Sequence, residues 1–133
     1  EYLDKYQDMS GIAVHFEPLH KGECLHVSSA AEVQLIRIVQ EALTNVRKHA
    51  RATAARVSLE LEDAQLRCEV TDNGRGFDPA NLVRIGWPRF GLQTMRERAE
   101  AVGGSFALEA KPGHGTKVVI KVPLAGKEGP RET

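Results

Sequence analysis

Two runs of alternating apolar residues, joined by a short connection, restrict the fold of this chain more than any other feature. Residues 57–61 and 66–70 each place an apolar side chain at every second position, and Asp63-Ala64 lies between them. Alternation with a period of two is typical of a strand with one buried face, and a short polar connection folds two such strands into an antiparallel hairpin. The centre of the chain is therefore predicted to be antiparallel β-structure.

Amphipathic helices are predicted on both sides of this hairpin. The first covers residues 29–50, because Ser29 and Glu32 have capping-box spacing and the apolar residues that follow recur with helical period. The second begins at Gly91 and ends at Gly103-Gly104, where glycine favours a helix terminus. Three further strands are predicted from alternating residues at 12–16, 106–108 and 118–122.

This order of elements predicts an α/β (α+β) two-layer sandwich, with helices on one face of a mixed, mostly antiparallel sheet. The elements do not alternate as βαβ units, which excludes a doubly wound parallel sheet. We expect residues 29–124 to form the main domain, residues 1–28 to be a linker with the first strand, and residues 125–133 to be a disordered tail.

Charge and apolar content limit the class of protein. The 18 Lys and Arg residues balance 18 Asp and Glu residues, whereas a general nucleic-acid binder usually has a basic surplus. No apolar run approaches the roughly 20 residues needed to cross a bilayer. The chain begins with Glu1 rather than Met, so we expect it to be part of a longer protein. Cys24 and Cys68 match no zinc pattern and are expected to be packing residues.

A polar stripe on the first helix carries groups that a magnesium–nucleotide complex needs. Glu41, Asn45 and Lys48 lie at i, i+4 and i+7, and therefore on one side of a helix, with His49 near its end. Asn45 offers an amide oxygen to the metal, and Lys48 and His49 offer positive charge to phosphates. Glu41 is a candidate base or orienting group. The alternative interpretation is a solvated helix face with an ordinary polar ladder.

The segment Asp72-Asn73-Gly74-Arg75-Gly76, directly after the hairpin, is a candidate base pocket. A carboxylate only accepts hydrogen bonds, so Asp72 suits the exocyclic amine of adenine and not the O6 atom of guanine. Gly74 and Gly76 would let the backbone approach a flat ring closely. Thr116 would support Asp72 if the last strand lies beside the hairpin. The alternative interpretation is a strand-end turn with a packing threonine.

The second helix is a candidate phosphate site. Gly91 is predicted to begin it, and the free amide groups of a helix N-terminus favour an anion. Residues 77–90 would then cover the nucleotide as a lid, with Trp87 near its tip.

Four blocks in this order resemble the ATP-binding catalytic domain of sensor histidine kinases, and more broadly the superfamily shared with gyrase, mismatch-repair and chaperone ATPases. Residues 40–50 resemble the N box, and residues 72–77 resemble the first glycine box. Residues 90–99 are similar to the second glycine box of the nitrate-sensor/desaturase-sensor branch, and residues 113–116 match its final Gly-x-Gly-Thr turn. The resemblance covers Glu32 to Leu124.

The resemblance implies a Bergerat-type fold, ATP with Mg²⁺, and transfer of the γ-phosphoryl group to a histidine on a separate dimerisation domain, with a response regulator as a further partner. It implies that Asn45 holds magnesium, that Lys48 and His49 contact the phosphates, and that Asp72 binds the adenine amine. The remaining nucleotide-binding residues implied by the same motifs are Gly74, Gly76, Gly91, Leu92 and Thr116. The implied location is cytoplasmic, and residues 1–28 would lead from the dimerisation helices.

The resemblance leaves the role of Glu41 open. A glutamate at this position activates water in the gyrase-like branch, whereas in a kinase it would polarise the acceptor imidazole. The second glycine box has one glycine instead of a Gly-x-Gly pair, and no histidine lies in an acceptor-helix context. The chain alone is therefore expected to bind ATP without autophosphorylation. The alternatives are a nucleotide-dependent regulatory module of the anti-sigma kind and a water-activating ATPase.

Overall fold

One five-stranded sheet organises the domain. The computed structural model describes residues 2–18, 27–75, 89–110 and 113–124. The strands are Ala13–Glu17 (β1), Ala54–Glu62 (β2), Gln65–Asp72 (β3), Ser105–Ala110 (β4) and Thr116–Pro123 (β5). Their order is β1-β2-β3-β5-β4, with β1 parallel to β2 and the other neighbours antiparallel. The predicted mixed, mostly antiparallel α/β sheet is confirmed.

The helices bury their apolar faces against this sheet. They are Tyr2–Ser10 (α1), Ser29–Asn45 (α2), which continues as the π-helix Val46–Ala50, and Arg89–Ala101 (α3). The residues with the largest fully buried side chains are Ile38 and Leu43 of α2, Met95 of α3, and Leu66, Cys68, Ile120 and Val122 of the sheet. The sheet members of this core alternate along β3 and β5, as a strand with one buried face requires.

Two details of α2 differ from the sequence prediction. The N-cap is Ser28 rather than Ser29, because the Ser28 side chain accepts a hydrogen bond from the Ala31 amide at 3.0 Å. Glu32 consequently lies in the first helical turn, where its charge complements the helix dipole. The predicted helix does reach Ala50, but its last five residues form a π-helix, which ends at Arg51 with φ of 55°.

The predicted turns occur where glycine or a short polar connection requires them. Asp63 has φ of 57° in the tight turn between β2 and β3. After α3, Gly103 has φ of 80°, and the Gly104 amide donates to the Ala99 carbonyl at 2.8 Å. The helix therefore ends with the glycine termination predicted from the sequence.

Cys68 is a packing residue, as predicted. Its thiol is free and buried, and burial raises its pKa to about 12. A thiol with this pKa stays protonated at neutral pH, which suits an apolar core position. Cys24 lies outside the described residues.

Several other predictions also concern residues outside the described ranges. These are the extended stretch before Val27, the lid of residues 77–90 up to the start of α3, and the tail of residues 125–133. The boundaries of the three predicted segments therefore stay predictions. In the described part of the chain, no helix is both long and apolar enough to cross a membrane.

Candidate functional site

Asn45 and Asp72 line the same cleft, although they are far apart in sequence. Asn45 is the last residue of α2, and Asp72 is the last residue of β3. Between them, the walls are formed by Ala42, Val46, Val70, Leu92, Leu108, Thr116 and Val118. A cleft with apolar walls and a few polar groups is the usual form of a site for a flat heterocyclic ligand.

Two backbone amides hold the Asp72 carboxylate. The Gly74 amide donates to Oδ1 at 2.7 Å, and the Thr116 amide also donates to this carboxylate. Thr116 is the register partner of Asp72 across β3 and β5, so the last strand lies beside the hairpin as expected. Burial raises the pKa of Asp72 above its ordinary value, and the two amides partly offset this effect. The carboxylate is thus fixed in place at the edge of an apolar cleft.

The turn before β5 packs directly on the backbone of Asp72. Gly115 is buried, has φ of 80°, and would overlap the Asp72 carbonyl oxygen if it carried a Cβ atom. The Gly-x-Gly-Thr motif predicts this turn, and of its residues only Thr116 is predicted from the sequence to belong to the site. Gly115 is therefore an additional residue of the site, and the two-glycine spacing of the turn was the signal for it.

Glu41 and Asn45 meet the first turn of α3 at Gly91. A Cβ atom on Gly91 would lie 3.0 Å from Glu41 Oε2 and 3.8 Å from Asn45 Nδ2. The helix begins at Arg89, two residues before the predicted start, so Gly91 lies inside its first turn. Glycine at this position lets α3 approach the polar end of α2 closely.

The other residues predicted for the site differ in how they relate to the cleft. Lys48 is exposed and belongs to the π-helix, so its position relative to Asn45 is not that of an i+3 neighbour in an α-helix. It is not among the residues that line the cleft. The His49 side chain and Gly76 are outside the described part of the structure. Leu92, by contrast, contributes to the cleft wall.

Sequence reasoning missed most of the apolar wall. The periodicity of the sequence predicts only a buried face for Val46, Val70, Leu108 and Val118, whereas in the structure they also line the cleft. Each lies at or near the end of its helix or strand, where a core face changes into a site. Periodicity identifies the buried face but does not show where along it an opening lies.

The chemistry of these residues suits ATP with a magnesium ion. The cleft itself encloses about 20 Å³, and it shares Asp72, Leu108 and Thr116 with a wider cavity of about 530 Å³. The fixed carboxylate of Asp72 can accept from an amine, and the apolar walls can cover a purine. Asn45 makes no side-chain capping hydrogen bond to the π-helix that follows it, so its amide oxygen is not used for that purpose. An amide oxygen is a suitable ligand for a hard cation such as Mg²⁺.

Known proteins with similar sequences include sensor histidine kinases. The chain is 34% identical over 128 residues to the signal transduction histidine-protein kinase/phosphatase DegS of Brevibacillus brevis. This alignment covers 96% of the chain and 32% of the relative. The chain is also 34% identical over 128 residues to the sensor histidine kinase LiaS of Bacillus subtilis, covering 96% of this chain and 34% of the relative. The chain thus spans about one third of the length of these relatives.

A solved structure and a family comparison agree with these relatives. The histidine kinase domain of a blue-light activated kinase from Erythrobacter litoralis superposes with a TM-score of 0.69 at 25% identity, over 92% of this chain and 57% of that one. Residues 30–126 match the sequence pattern of the family described as histidine kinase-, DNA gyrase B- and HSP90-like ATPases. The chain therefore belongs to this family of ATP-binding domains.

Proposed function

We propose that this chain is the catalytic domain of a two-component sensor histidine kinase. In this proposal it binds ATP with Mg²⁺ and presents the γ-phosphoryl group to a histidine on a separate dimerisation domain of the same kinase, which then passes it to a response regulator. Residues 29–124 would form this domain, and the location would be cytoplasmic, where ATP is available. The observation that carries the proposal is the convergence of Asn45 and Asp72 on one cleft.

The adenine end of the proposed site is built around Asp72. Its ionised carboxylate accepts a hydrogen bond from the exocyclic amine, while the amides of Gly74 and Thr116 keep it in place. Leu92, Leu108 and Val118 cover the faces of the ring. Gly74 and Gly76 would leave room for the base beside the backbone.

The phosphate end is built around the last turn of α2. Asn45 would hold Mg²⁺, which when bound neutralises negative charge on the phosphates. Lys48 and His49 would contact phosphate oxygens, with Gly91 in the first turn of α3 leaving space for them. Glu41, whose carboxylate lies beside Gly91, would orient the acceptor imidazole or take up its proton.

The position of Glu41 also favours a second candidate function, a water-activating ATPase. A carboxylate close to the metal-binding asparagine can serve as a general base for water as well as for an imidazole. Steady ATP hydrolysis by the isolated chain, lost in Glu41→Gln, would favour the ATPase. Clear ATP binding with almost no turnover would favour the kinase.

Isothermal titration with ATP, ADP and GTP, each with and without Mg²⁺, tests the nucleotide site. We expect adenine nucleotides to bind more tightly than GTP, and Mg²⁺ to strengthen the binding of ATP. Asp72→Asn should weaken the binding of adenine nucleotides more than that of GTP. The NH₂ group that replaces one carboxylate oxygen is a donor and cannot accept a hydrogen bond from the adenine amine. Equal losses for both nucleotides would show that Asp72 does not read the base.

A further inference from the structure

Tyr6 connects α1 to the end of α2 that carries Asn45. Its hydroxyl donates a hydrogen bond to the Leu43 carbonyl, with 2.6 Å between the two oxygens. The Tyr6 side chain is only 6% exposed and belongs to the main hydrophobic core. This contact is therefore a buried polar link between segments 37 residues apart, in which both partners would lose a hydrogen bond if they separated.

The Leu43 carbonyl lies in the last turn of α2, shortly before the backbone changes from α-helical to π-helical hydrogen bonding. Asn45 ends the α-helical part, and the Val46 amide points at the carbonyls of both Ala42 and Leu43. A π-helix is rare and occurs mostly as a short segment inside an α-helix, often at a functional site. A carbonyl oxygen has two lone pairs, so the Tyr6 hydroxyl can hold Leu43 without displacing a backbone donor.

The same turn forms one wall of the cleft. Ala42, Asn45 and Val46 all line the cleft, and Leu43 lies among them with its side chain fully buried in the core. A shift or rotation of this turn would move the Asn45 amide directly, whereas Asp72 is held independently by Gly74 and Thr116 on the sheet. The two ends of the cleft thus have separate supports.

We propose that Tyr6 is a positioning residue for the metal end of the nucleotide site. Through the Leu43 carbonyl it fixes the turn that presents Asn45, so that a displacement of α1 weakens the binding of Mg²⁺-nucleotide and leaves the adenine end intact. This inference rests on the proposed function, because it assigns Asn45 to the metal.

Tyr6→Phe tests this proposal, because it removes only the hydroxyl and keeps the ring in the core. Gln7→Ala is the matched control on the same helix. Gln7 Oε1 accepts from the Val14 amide at 2.7 Å, so this variant loses a bond of similar length between α1 and β1 while it keeps the Tyr6 hydroxyl. Titrations with Mg²⁺-ATP and with ADP in EDTA, together with thermal unfolding, should be run on the wild type and both variants.

We expect Tyr6→Phe to weaken Mg²⁺-ATP about five-fold, which is the effect of one net hydrogen bond, and to leave metal-free ADP within about two-fold of wild type. Gln7→Ala should keep both affinities within the same two-fold limit. Equal weakening of both ligands in Tyr6→Phe would indicate a general loss of stability and overturn the inference, as would unchanged affinity for Mg²⁺-ATP.

Hydrogen exchange without nucleotide gives an independent readout. Tyr6→Phe should accelerate exchange of the amides of residues 46–48, while the amides of residues 34–38 in the middle of α2 keep their wild-type rates. Uniform acceleration along α2, or none, would contradict the proposal. If the wild type binds no Mg²⁺-nucleotide, the proposed function fails and this inference fails with it. If the wild type and Tyr6→Phe bind Mg²⁺-ATP with equal affinity, only the inference is overturned.

Discussion

The Glu41 carboxylate and Gly91 are in close contact across the interface between α2 and α3. Glu41 Oε2 lies 3.0 Å from the position that a Cβ atom on Gly91 would occupy, which is closer than nearly all real Cβ contacts. The neighbouring atom is the end of a flexible side chain, so Glu41 can move away from a methyl group at small cost. The absence of a side chain at Gly91 therefore matters more for where the Glu41 carboxylate lies than for the stability of the fold.

Gly91→Ala should separate function from stability. Alanine favours the interior of a helix over glycine by about 1 kcal/mol, so the free energy of unfolding should stay unchanged or rise by up to about that amount. Affinity for Mg²⁺-ATP should fall, because the added methyl group displaces the Glu41 carboxylate and fills space that the proposed site leaves for the phosphates. Gln93→Ala, an exposed change in the same helix, is the control for helix propensity. Unchanged Mg²⁺-ATP affinity in Gly91→Ala would remove this contact from the site.

Asn45→Ala should remove the strengthening of ATP binding by Mg²⁺. In the proposed site Asn45 would supply a neutral oxygen ligand at the phosphate end of the cleft, and alanine offers no oxygen to the cation. Gln40→Ala removes an amide from the same helix and serves as the control. Calorimetry should show equal ATP affinity with and without Mg²⁺ in Asn45→Ala, and a preserved metal effect in Gln40→Ala. A full metal effect in Asn45→Ala would exclude it as a ligand.

The raised pKa of Asp72 predicts how its contribution to stability depends on pH. Because burial raises the pKa in the folded state, folding favours the protonated carboxyl. Below the unfolded-state pKa of about 3.9, this contribution is fully present. It decreases as the pH rises from there through the folded-state pKa and is constant above it.

The free energy of unfolding of the wild type minus that of Asp72→Asn should therefore fall with rising pH over this interval. Urea unfolding of both proteins from pH 4 to pH 7 measures the difference. A difference that grows with pH would mean that the amides of Gly74 and Thr116 stabilise the charge more than burial disfavours it.

Periodicity was sufficient to predict the elements, while the site needed information that periodicity does not carry. The β2–β3 hairpin and the apolar face of α2 follow from local patterns of period 2 and 3.6. The proximity of Asn45 and Asp72 depends on how α2 packs across the sheet, which single runs of residues do not specify. The family resemblance supplied this pairing before the structure did.

The end of α2 shows a different limit. The sequence of residues 46–50 continues the helical pattern, and no local residue marks the change to π-helical hydrogen bonds. Just before this change, the Tyr6 hydroxyl donates to the Leu43 carbonyl, a contact from a distant part of the chain that the local pattern does not contain. At the other end, Ser28 and Ser29 are equally good caps by type, so only the geometry distinguishes them.

Gly113 and Gly115 provide a matched pair for the turn that supports Asp72. Both have positive φ, 81° and 80°, but a Cβ on Gly113 would meet nothing within 4 Å, whereas one on Gly115 would overlap the Asp72 carbonyl. Gly113→Ala should lower the free energy of unfolding by about 1–2 kcal/mol, from the backbone conformation alone. Gly115→Ala should cost a further 1–3 kcal/mol, roughly what forced overpacking costs.

The same pair separates the turn's role in folding from its role in binding. Gly115→Ala displaces the backbone of Asp72, so the folded fraction of this variant should bind ADP more weakly than wild type, while Gly113→Ala should bind it normally. Urea unfolding gives the stabilities, and titration at a temperature where both variants are folded gives the affinities. Equal losses of stability would show that the close approach of Gly115 to Asp72 is relieved without cost, and the turn would then act through its φ angles alone.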